Sequence, residues 1–494
     1  MKFPAAQTIL IIIAGLVTIM TWIIPAGSYN SLSYNESADN FVIQSQDSSY
    51  QLAASEESLS KLNVNIPIDK FTSGAIYKPI SIPNTYERLP SKPQGFMDFI
   101  SAPIKGIIEA ADIIFLVLII GGMIGIMNTT GAFNAGMAWL SKVLKGKEFL
   151  LIIFTSLLIS LGGTTFGLAE ETLAFYPILI PIFIAAGYDT MVGLASIFLG
   201  SAIGVMASTV NPFATIIASD AAGISWTSGL EGRIVLYIVS MTVTILYILW
   251  YAKKVKNNPE KSLTDPKATK SLAYIQQATS DKHIALTLRL RIILIVFTAC
   301  FVVMILGVSQ WGWWFVEMTT VFFAGAILIG FIAKMKENDF IESFLQGAAD
   351  LLGVAFIIGL ARGITIIMND GLISDSILFY ASELTTGMNK GVFINTLYFI
   401  YQGLTFFIPS SSGMAVLTMP ILSPLAENVN IGRELIVNAY QMGNGLFNSV
   451  SPTGLVLASL GLVKIGYDKF LKFMVPLYIM LAIVGVIFLT ILAF

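Results

Sequence analysis

Gly162-Gly163-Thr164-Thr165-Phe166-Gly167-Leu168-Ala169-Glu170-Glu171 interrupts an otherwise apolar stretch running from 149 to 185, and its reading decides the fold. Each apolar arm beside it has about half to two-thirds of the ~20 residues a helix needs to cross the hydrocarbon of a bilayer. A break loaded with glycine, threonine and two acids is a poor fit to lipid. Backbone groups at that depth must find hydrogen bonds from protein, water or ligand. The pattern predicts a re-entrant hairpin over about 149–186 that enters and leaves on one face, with the break as its tip.

The rest of the chain supports a membrane setting. Of 494 residues 55% are hydrophobic and 12% charged, against about 25% charged in ordinary soluble domains. Unbroken apolar runs occur at Ile9 to Ile24, Ile113 to Met127, Ile234 to Tyr251, Ile292 to Val308 and Phe473 to Phe494. The first lacks a small-residue cleavage site and reads as a retained helix rather than a signal peptide. Charge sets the expected orientation. Residues 28–97 hold five Lys/Arg against seven acids, and residues 252–291 hold nine against three. Cytoplasmic segments carry the excess of Lys/Arg, so 252–291 is expected inside, 28–97 is expected to be an external loop, and the N-terminus is expected in the cytoplasm. A single helix over about 103–128 then returns to Lys142, Lys145 and Lys147. The count of crossings closes only if 149–186 is a hairpin and not two spans. Trp311, Trp313 and Trp314 read as an interfacial cluster.

A second half restates the first. Asp98-Phe99-Ile100, Ala110-Ala111-Asp112 and Met127-Asn128 recur in order as Asp339-Phe340-Ile341, Ala348-Ala349-Asp350 and Met368-Asn369. The first tip corresponds to Pro409-Ser410-Ser411-Ser412-Gly413, and Ser208-Thr209-Val210-Asn211-Pro212-Phe213 to Asn448-Ser449-Val450-Ser451-Pro452-Thr453. An odd number of crossings between the two starts places the copies oppositely in the membrane, the inverted-repeat plan of secondary carriers. The expected organisation is a first transmembrane helix (1–27), the external loop, a first repeat (98–251) with its hairpin and a broken helix over about 190–217, and the linker 252–291. Two transmembrane helices (292–333) follow, then a second repeat (339–470) with a hairpin over about 391–426 and a broken helix over about 434–462, and a last helix (471–494).

Four polar segments at bilayer depth are the candidate solute site: the tips, with Gly163, Thr164, Thr165 and Ser410 to Gly413, and the breaks, with Ser208, Asn211, Pro212, Asn448, Ser451, Pro452 and Thr453. A proline inside a helix frees a carbonyl, and the half-helix that starts there points its positive end inward. A carboxylate fits such an end and sodium fits freed carbonyls. The plainer alternative is that Gly and Pro only kink the helices while Ser and Thr bond back to backbone. Glu170 and Glu171 are costly at that depth, and either face the site or cap the following helix. Arg362 is expected to hold a substrate carboxylate or to pair with Asp350 or with an acid of another helix. Glu109, Asp112 and Asp350 read as capping or solvated groups.

Lone Cys300, inside an apolar run, leaves no disulfide or cysteine metal site, and lone His283 reads as a solvated group of the basic linker. No catalytic triad, phosphate loop or nucleic-acid patch is present in the sequence, so an enzyme is disfavoured. A channel is the alternative from a different class. No cofactor is expected beyond a coupling sodium ion or proton, and the partners are membrane lipid and a small solute.

Trp22-Ile23-Ile24-Pro25-Ala26-Gly27-Ser28-Tyr29, the stretch from Gly162 to Thr172, Asn211-Pro212-Phe213 and the Pro409 to Gly413 tip resemble the YfcC family over nearly the whole chain. That family stands with anaerobic four-carbon dicarboxylate carriers and with antiporters provisionally assigned to basic amino acids. The resemblance implies an all-α bacterial inner-membrane protein of elevator type, with a scaffold that forms a homodimer and a transport domain carrying both hairpins and both broken helices. It places the site at Thr164, Thr165, Ser208, Asn211, Ser410, Ser411, Ser412, Asn448, Ser451 and Thr453. Relatives differ in solute. Acids at 170 and 171 favour an amino acid, whose ammonium they would meet; a dicarboxylate carrier would use them for protons.

Overall fold

The computed structural model describes residues 4–45, 48–133, 135–136, 147–264, 286–311, 313, 315–385 and 387–494. His283, Trp314, Lys142, Lys145 and the linker stretch 265–285 lie outside the described residues. Among those described, seven helices are long and apolar enough to cross a membrane.

After α1 (Ala6–Ile23) the polar segment is not simply a loop, which departs from an all-α expectation. Strands β2 (Ser31–Asn35), β3 (Asn40–Gln44) and β4 (Ser49–Ala53) form an antiparallel meander, with Leu32 opposite Ile43 and Phe41 opposite Leu52. Strand β5 (Ile80–Ser81) joins the far side of β2, and β1 (Gly27–Ser28) pairs with β6 (Glu87–Arg88). Side chains alternate across a sheet. Leu32, Phe41 and Ile43 are accordingly buried on one face against Leu59 of α2 (Glu56–Lys61) and Phe71 of α3 (Asp69–Thr72).

The single span expected over 103–128 is two helices, α4 (Phe96–Glu109) and α5 (Ala111–Thr130). They meet at Ala110, whose φ of −98° and ψ of 16° leave the helical region. The second half repeats the step with α13 (Glu337–Asp350), Leu351 and α14 (Leu352–Asp370). Leu351, not the Ala348-Ala349-Asp350 triplet, therefore stands where Ala110 does. Each short helix lies along the long helix of the other half, α4 on α14 and α13 on α5. Glycines allow the close approach. A Cβ at Gly121 would come within 2.6 Å of the Gly347 carbonyl oxygen, and one at Gly363 within 2.8 Å of the Ala102 carbonyl oxygen. Small residues four apart (Gly121 and Gly125, Gly359 and Gly363) are the pattern by which apolar helices bring their backbones together in lipid.

Around this reciprocal pair, α6 (Phe149–Phe166) and α7 (Tyr176–Ala185) both pack on α8 (Thr190–Met206). Beyond α8 the chain is non-helical until a π-turn at Pro212–Ile216 leads into α9 (Ile217–Ala221). Helices α10 (Leu230–Asn257), α11 (Leu288–Trp311) and α12 (Phe315–Ala333) complete the first half and its connection. In the second, α15 (Ser374–Glu383) precedes α16 (Lys390–Phe407) and α17 (Ser411–Leu422), with the short α18 (Leu425–Asn428) after it. α19 (Arg433–Asn448) breaks before α20 (Val456–Val463), and α21 (Tyr467–Ala493) ends the chain. α8 and α19 touch where a Cβ on Gly445 would collide with Met206. The polar breaks that follow each helix therefore come together.

Candidate functional site

α6 ends at Gly167, whose φ of +77° is a left-handed conformation that glycine adopts without steric cost. The sharp turn sets Glu170 and Glu171 on a short 3-10 helix before α7. The first tip is then tied to the first break. Thr164 Oγ1 donates to the Ala207 carbonyl at 2.9 Å, and the Thr164 carbonyl accepts from the backbone N–H of Thr209 at 3.0 Å. Asn211 Nδ2 donates to the Gly163 carbonyl at 3.3 Å, while its Oδ1 accepts from Phe213 N–H at 2.8 Å and caps the turn that follows Pro212.

The second half uses the same connection. Asn448 Nδ2 donates to the Pro409 carbonyl at 3.4 Å and to Asn444 Oδ1 at 3.2 Å. Ser410 caps α17 by accepting from Gly413 N–H at 3.2 Å, and Ser411 Oγ donates to Asn444 Oδ1 at 2.8 Å. Tyr440 O–H holds the tip from behind through the Ser411 carbonyl, at 2.7 Å. The N-terminus of α17 is thereby fixed at the edge of a cavity.

That cavity, of about 330 Å³, is lined by Glu170, Glu171, Asn211, Ser410, Ser411, Ser412, Asn448 and Thr453 among the residues singled out from sequence. The others are structural neighbours of the lining. Thr165 Oγ1 donates back to the Leu161 carbonyl, Gly163 packs against the Ser201 carbonyl, and Gly413 supplies the capped N–H of α17. Ser208 is buried against Thr215 at 2.5 Å, and Ser451 against Thr453 at 2.7 Å. Pro212 starts the π-turn, and Pro452 lies in the second break.

Among the described residues, two cations also line the cavity, Arg362 and Lys78. Arg362 Nε is 3.1 Å from the Glu109 carboxylate, which joins α14 to α4. The partner is thus an acid of another helix and not Asp350, which accepts from Gln346 at 3.0 Å. Glu109, read as a capping or solvated group, is half exposed and serves as the ion-pair partner of Arg362. Lys78 comes from the β domain, and its Nζ donates to Ser412 Oγ at 2.7 Å. Burial and the Arg362 guanidinium push its ammonium below the ordinary lysine range. Sequence reasoning missed Lys78 because it counted the residue only as a charge in a loop. Trp313, of the cluster read as interfacial, also lines the cavity. Gln441, also missed, bridges the halves: its Nε2 donates to the Ser208 carbonyl at 2.9 Å and its Oε1 accepts from Thr215 at 2.5 Å. Asn438, Gln441 and Asn444 recur three apart on one helix, a polar stripe that helical periodicity makes legible.

Apolar spans around a cavity where two tips and two breaks set charged and polar groups among apolar side chains, in a chain that a carrier family matches nearly end to end, define a multi-pass membrane carrier, a protein that moves a small solute and performs no enzymatic reaction. The profile of the DcuC family, described as C4-dicarboxylate anaerobic carrier, matches residues 3–494, and the chain belongs to that family. An uncharacterized protein of Haemophilus influenzae is 43% identical over 496 residues, covering 99% of this chain and 97% of its own length. YfcC of Escherichia coli K12, provisionally named a basic amino acid antiporter, is 28% identical over 95% of this chain and 92% of its own. Among solved structures, the Alcanivorax borkumensis YdaH transporter aligns at 12% identity and a TM-score of 0.41, covering 99% of this chain and 98% of that one. Neisseria gonorrhoeae MtrF, from a class of antimetabolite efflux pumps, aligns at 16% identity and a TM-score of 0.40, covering 99% and 95%.

Proposed function

We propose that the chain carries an amino acid, with a basic side chain as the favoured class, by exchange or by coupling to an ion. The observation that carries this reading is the mixed charge of the cavity, where Lys78 and Arg362 line the same space as Glu170 and Glu171. A zwitterion brings a carboxylate for the cations and the N-terminus of α17, and an ammonium for the acids. The provisional name of YfcC supports it. A four-carbon dicarboxylate coupled to sodium or protons is the second reading, supported by the family description and by the presence of two cations.

In this reading the two halves lie inverted, 149–186 and 391–426 are re-entrant hairpins, and the tips and breaks move together as an elevator within a homodimer. The protein sits in the bacterial inner membrane with its N-terminus in the cytoplasm. The unpartnered, buried Oδ1 of Asn448 is an acceptor suited to a coupling sodium ion. Purified protein in liposomes decides among the readings. The amino-acid reading expects saturable uptake of labelled L-ornithine or L-arginine, with counterflow. Counterflow of succinate alone establishes the dicarboxylate reading, and flux without saturation or counterflow establishes a channel.

A further inference from the structure

The β domain does more than cover one end of the bundle. Its strand β5 packs on α17, and the residues just before that strand, Tyr77-Lys78-Pro79, run over the second tip. Two attachments hold it in place. Lys70 of α3 stands 2.9 Å from Asp220 of α9, whose side chain is almost wholly buried. On the other side, Tyr29 N–H donates to Asp375 Oδ2 at 2.9 Å, and the Tyr86 ring stacks on Phe379 of α15 with centroids 4.1 Å apart. Ile76 and Ile80, on either side of Lys78, are buried. Lys78 is therefore not a free surface lysine, because both flanks of its segment are anchored.

An ammonium has three donors. Ser412 Oγ accepts from one, and among the described residues no carboxylate lies within ion-pair distance of Lys78. The nearby Arg362 has Glu109; Lys78 faces the cavity with only uncharged side-chain partners, the Ser412 hydroxyl and the Tyr77 ring, whose centre lies 5.6 Å from its Nζ. A partly buried cation beside a second cation is costly unless an anion joins it. The N-terminus of α17, at Ser411 and Ser412, offers positive potential at the same place.

We propose that Lys78 is a ligand for the solute carboxylate, delivered into the cavity by the β domain, so that acid recognition depends on a residue outside the helical repeats. This rests on the carrier reading above and holds for an amino acid or a dicarboxylate. A residue that only fastened the tip would affect every solute equally, whereas a carboxylate ligand distinguishes an acid from its ester.

The test compares the full-length protein with Lys78→Met and Lys78→Arg in liposomes. L-ornithine and succinate are the probes, each competed against its methyl ester. Loss of a charge-assisted bond to the carboxylate raises the apparent Kd of the acid about ten- to a hundredfold in Lys78→Met. Ester binding should change little, so the acid-to-ester preference collapses, and Lys78→Arg should restore most of it. An unchanged preference in folded Lys78→Met, or an equal loss for acid and ester, overturns the assignment. Where wild-type protein transports neither probe, the proposed solutes fail separately, and Lys78 is tested by amine-directed labelling read by mass spectrometry. Protection of Lys78, relative to exposed Lys61, by any carboxylate of an amino-acid and organic-acid panel supports the assignment; no protection by the whole panel overturns it.

Discussion

Lys256 Nζ lies 3.5 Å from the Glu148 carboxylate, immediately before α6, and the same ammonium lies 5.2 Å from the centre of the Tyr188 ring, just after α7. One side chain from the end of α10 thus touches both feet of the 149–186 segment. Helices α6 and α7 leave from, and come back to, the same end of the bundle. The re-entrant proposal draws its support from this contact. Cysteines placed at 147 and 187 should react with a membrane-impermeant reagent from the same face, and a reporter near residue 265 should share that face. A reporter near residue 60 should lie opposite. Labelling of 147 and 187 from opposite faces removes the hairpin and with it the inverted count of spans.

Asn211 and Asn448 occupy equivalent positions, each donating from a break to the carbonyl of its own tip. Alanine at either position removes two side-chain hydrogen bonds, each of net worth about 1 kcal/mol. Both asparagines also line the cavity, so loss is expected in solute binding more than in folding. Apparent affinity should fall about fivefold or more in each single variant while the melting temperature in detergent stays close to wild type. Unchanged affinity in both variants makes these asparagines fasteners of the tips alone.

The glycine contacts between α5 and α13 give a stability prediction. Gly347→Val places side-chain atoms against Gly121 and Gly125, where even a Cβ collides with backbone. Overpacking of this kind costs about 1–3 kcal/mol. Gly353→Ala is the control, since nothing stands within 4 Å of a Cβ there. Thermal unfolding in detergent should show a lower midpoint for the first and no loss for the second. Equal midpoints would show that the α5 and α13 contact is not tight.

How far the sequence reached depends on the kind of signal. Long apolar runs and the glycine and proline breaks are local and strong, and the helix ends at Phe166, Met206, Phe407 and Asn448 fall beside those breaks. Ala110 and Leu351 carried no such punctuation. Glu109 and Asp112 flank the first, but acids read as capping or solvated groups do not mark a helix end, so the pair that meets there reads as one span. The β strands were hidden for another reason: each has five residues or fewer, and a count of charges over 28–97 does not register period-two burial at Leu32, Phe41 and Ile43. Lys78 joins the site through Ser412, and Glu109 supports it through Arg362, partners hundreds of positions away. Spacing along the chain cannot express such pairs.

Glu170 and Glu171 separate the two solute classes. Both line the cavity, and Glu171 Oε2 also accepts from the Ala169 N–H at 3.0 Å. That bond gives Glu171 a local structural partner. Glu170 is therefore the stronger candidate to meet a solute. If the solute brings an ammonium or guanidinium, Glu170→Gln removes a charge-assisted bond, which is about twice as strong as a neutral one. Affinity should then fall about tenfold, with a smaller loss in Glu171→Gln. If the acid instead carries a coupling proton for a dicarboxylate, glutamine imitates the protonated carboxyl. Solute exchange should then persist while accumulation driven by a proton gradient disappears. Measuring binding, exchange and gradient-driven uptake for both variants in one liposome preparation distinguishes these outcomes. Wild-type values for all three in both variants would reduce the acids to caps of the turn after Gly167, and the preference for an amino acid over a dicarboxylate would lose its support within the cavity.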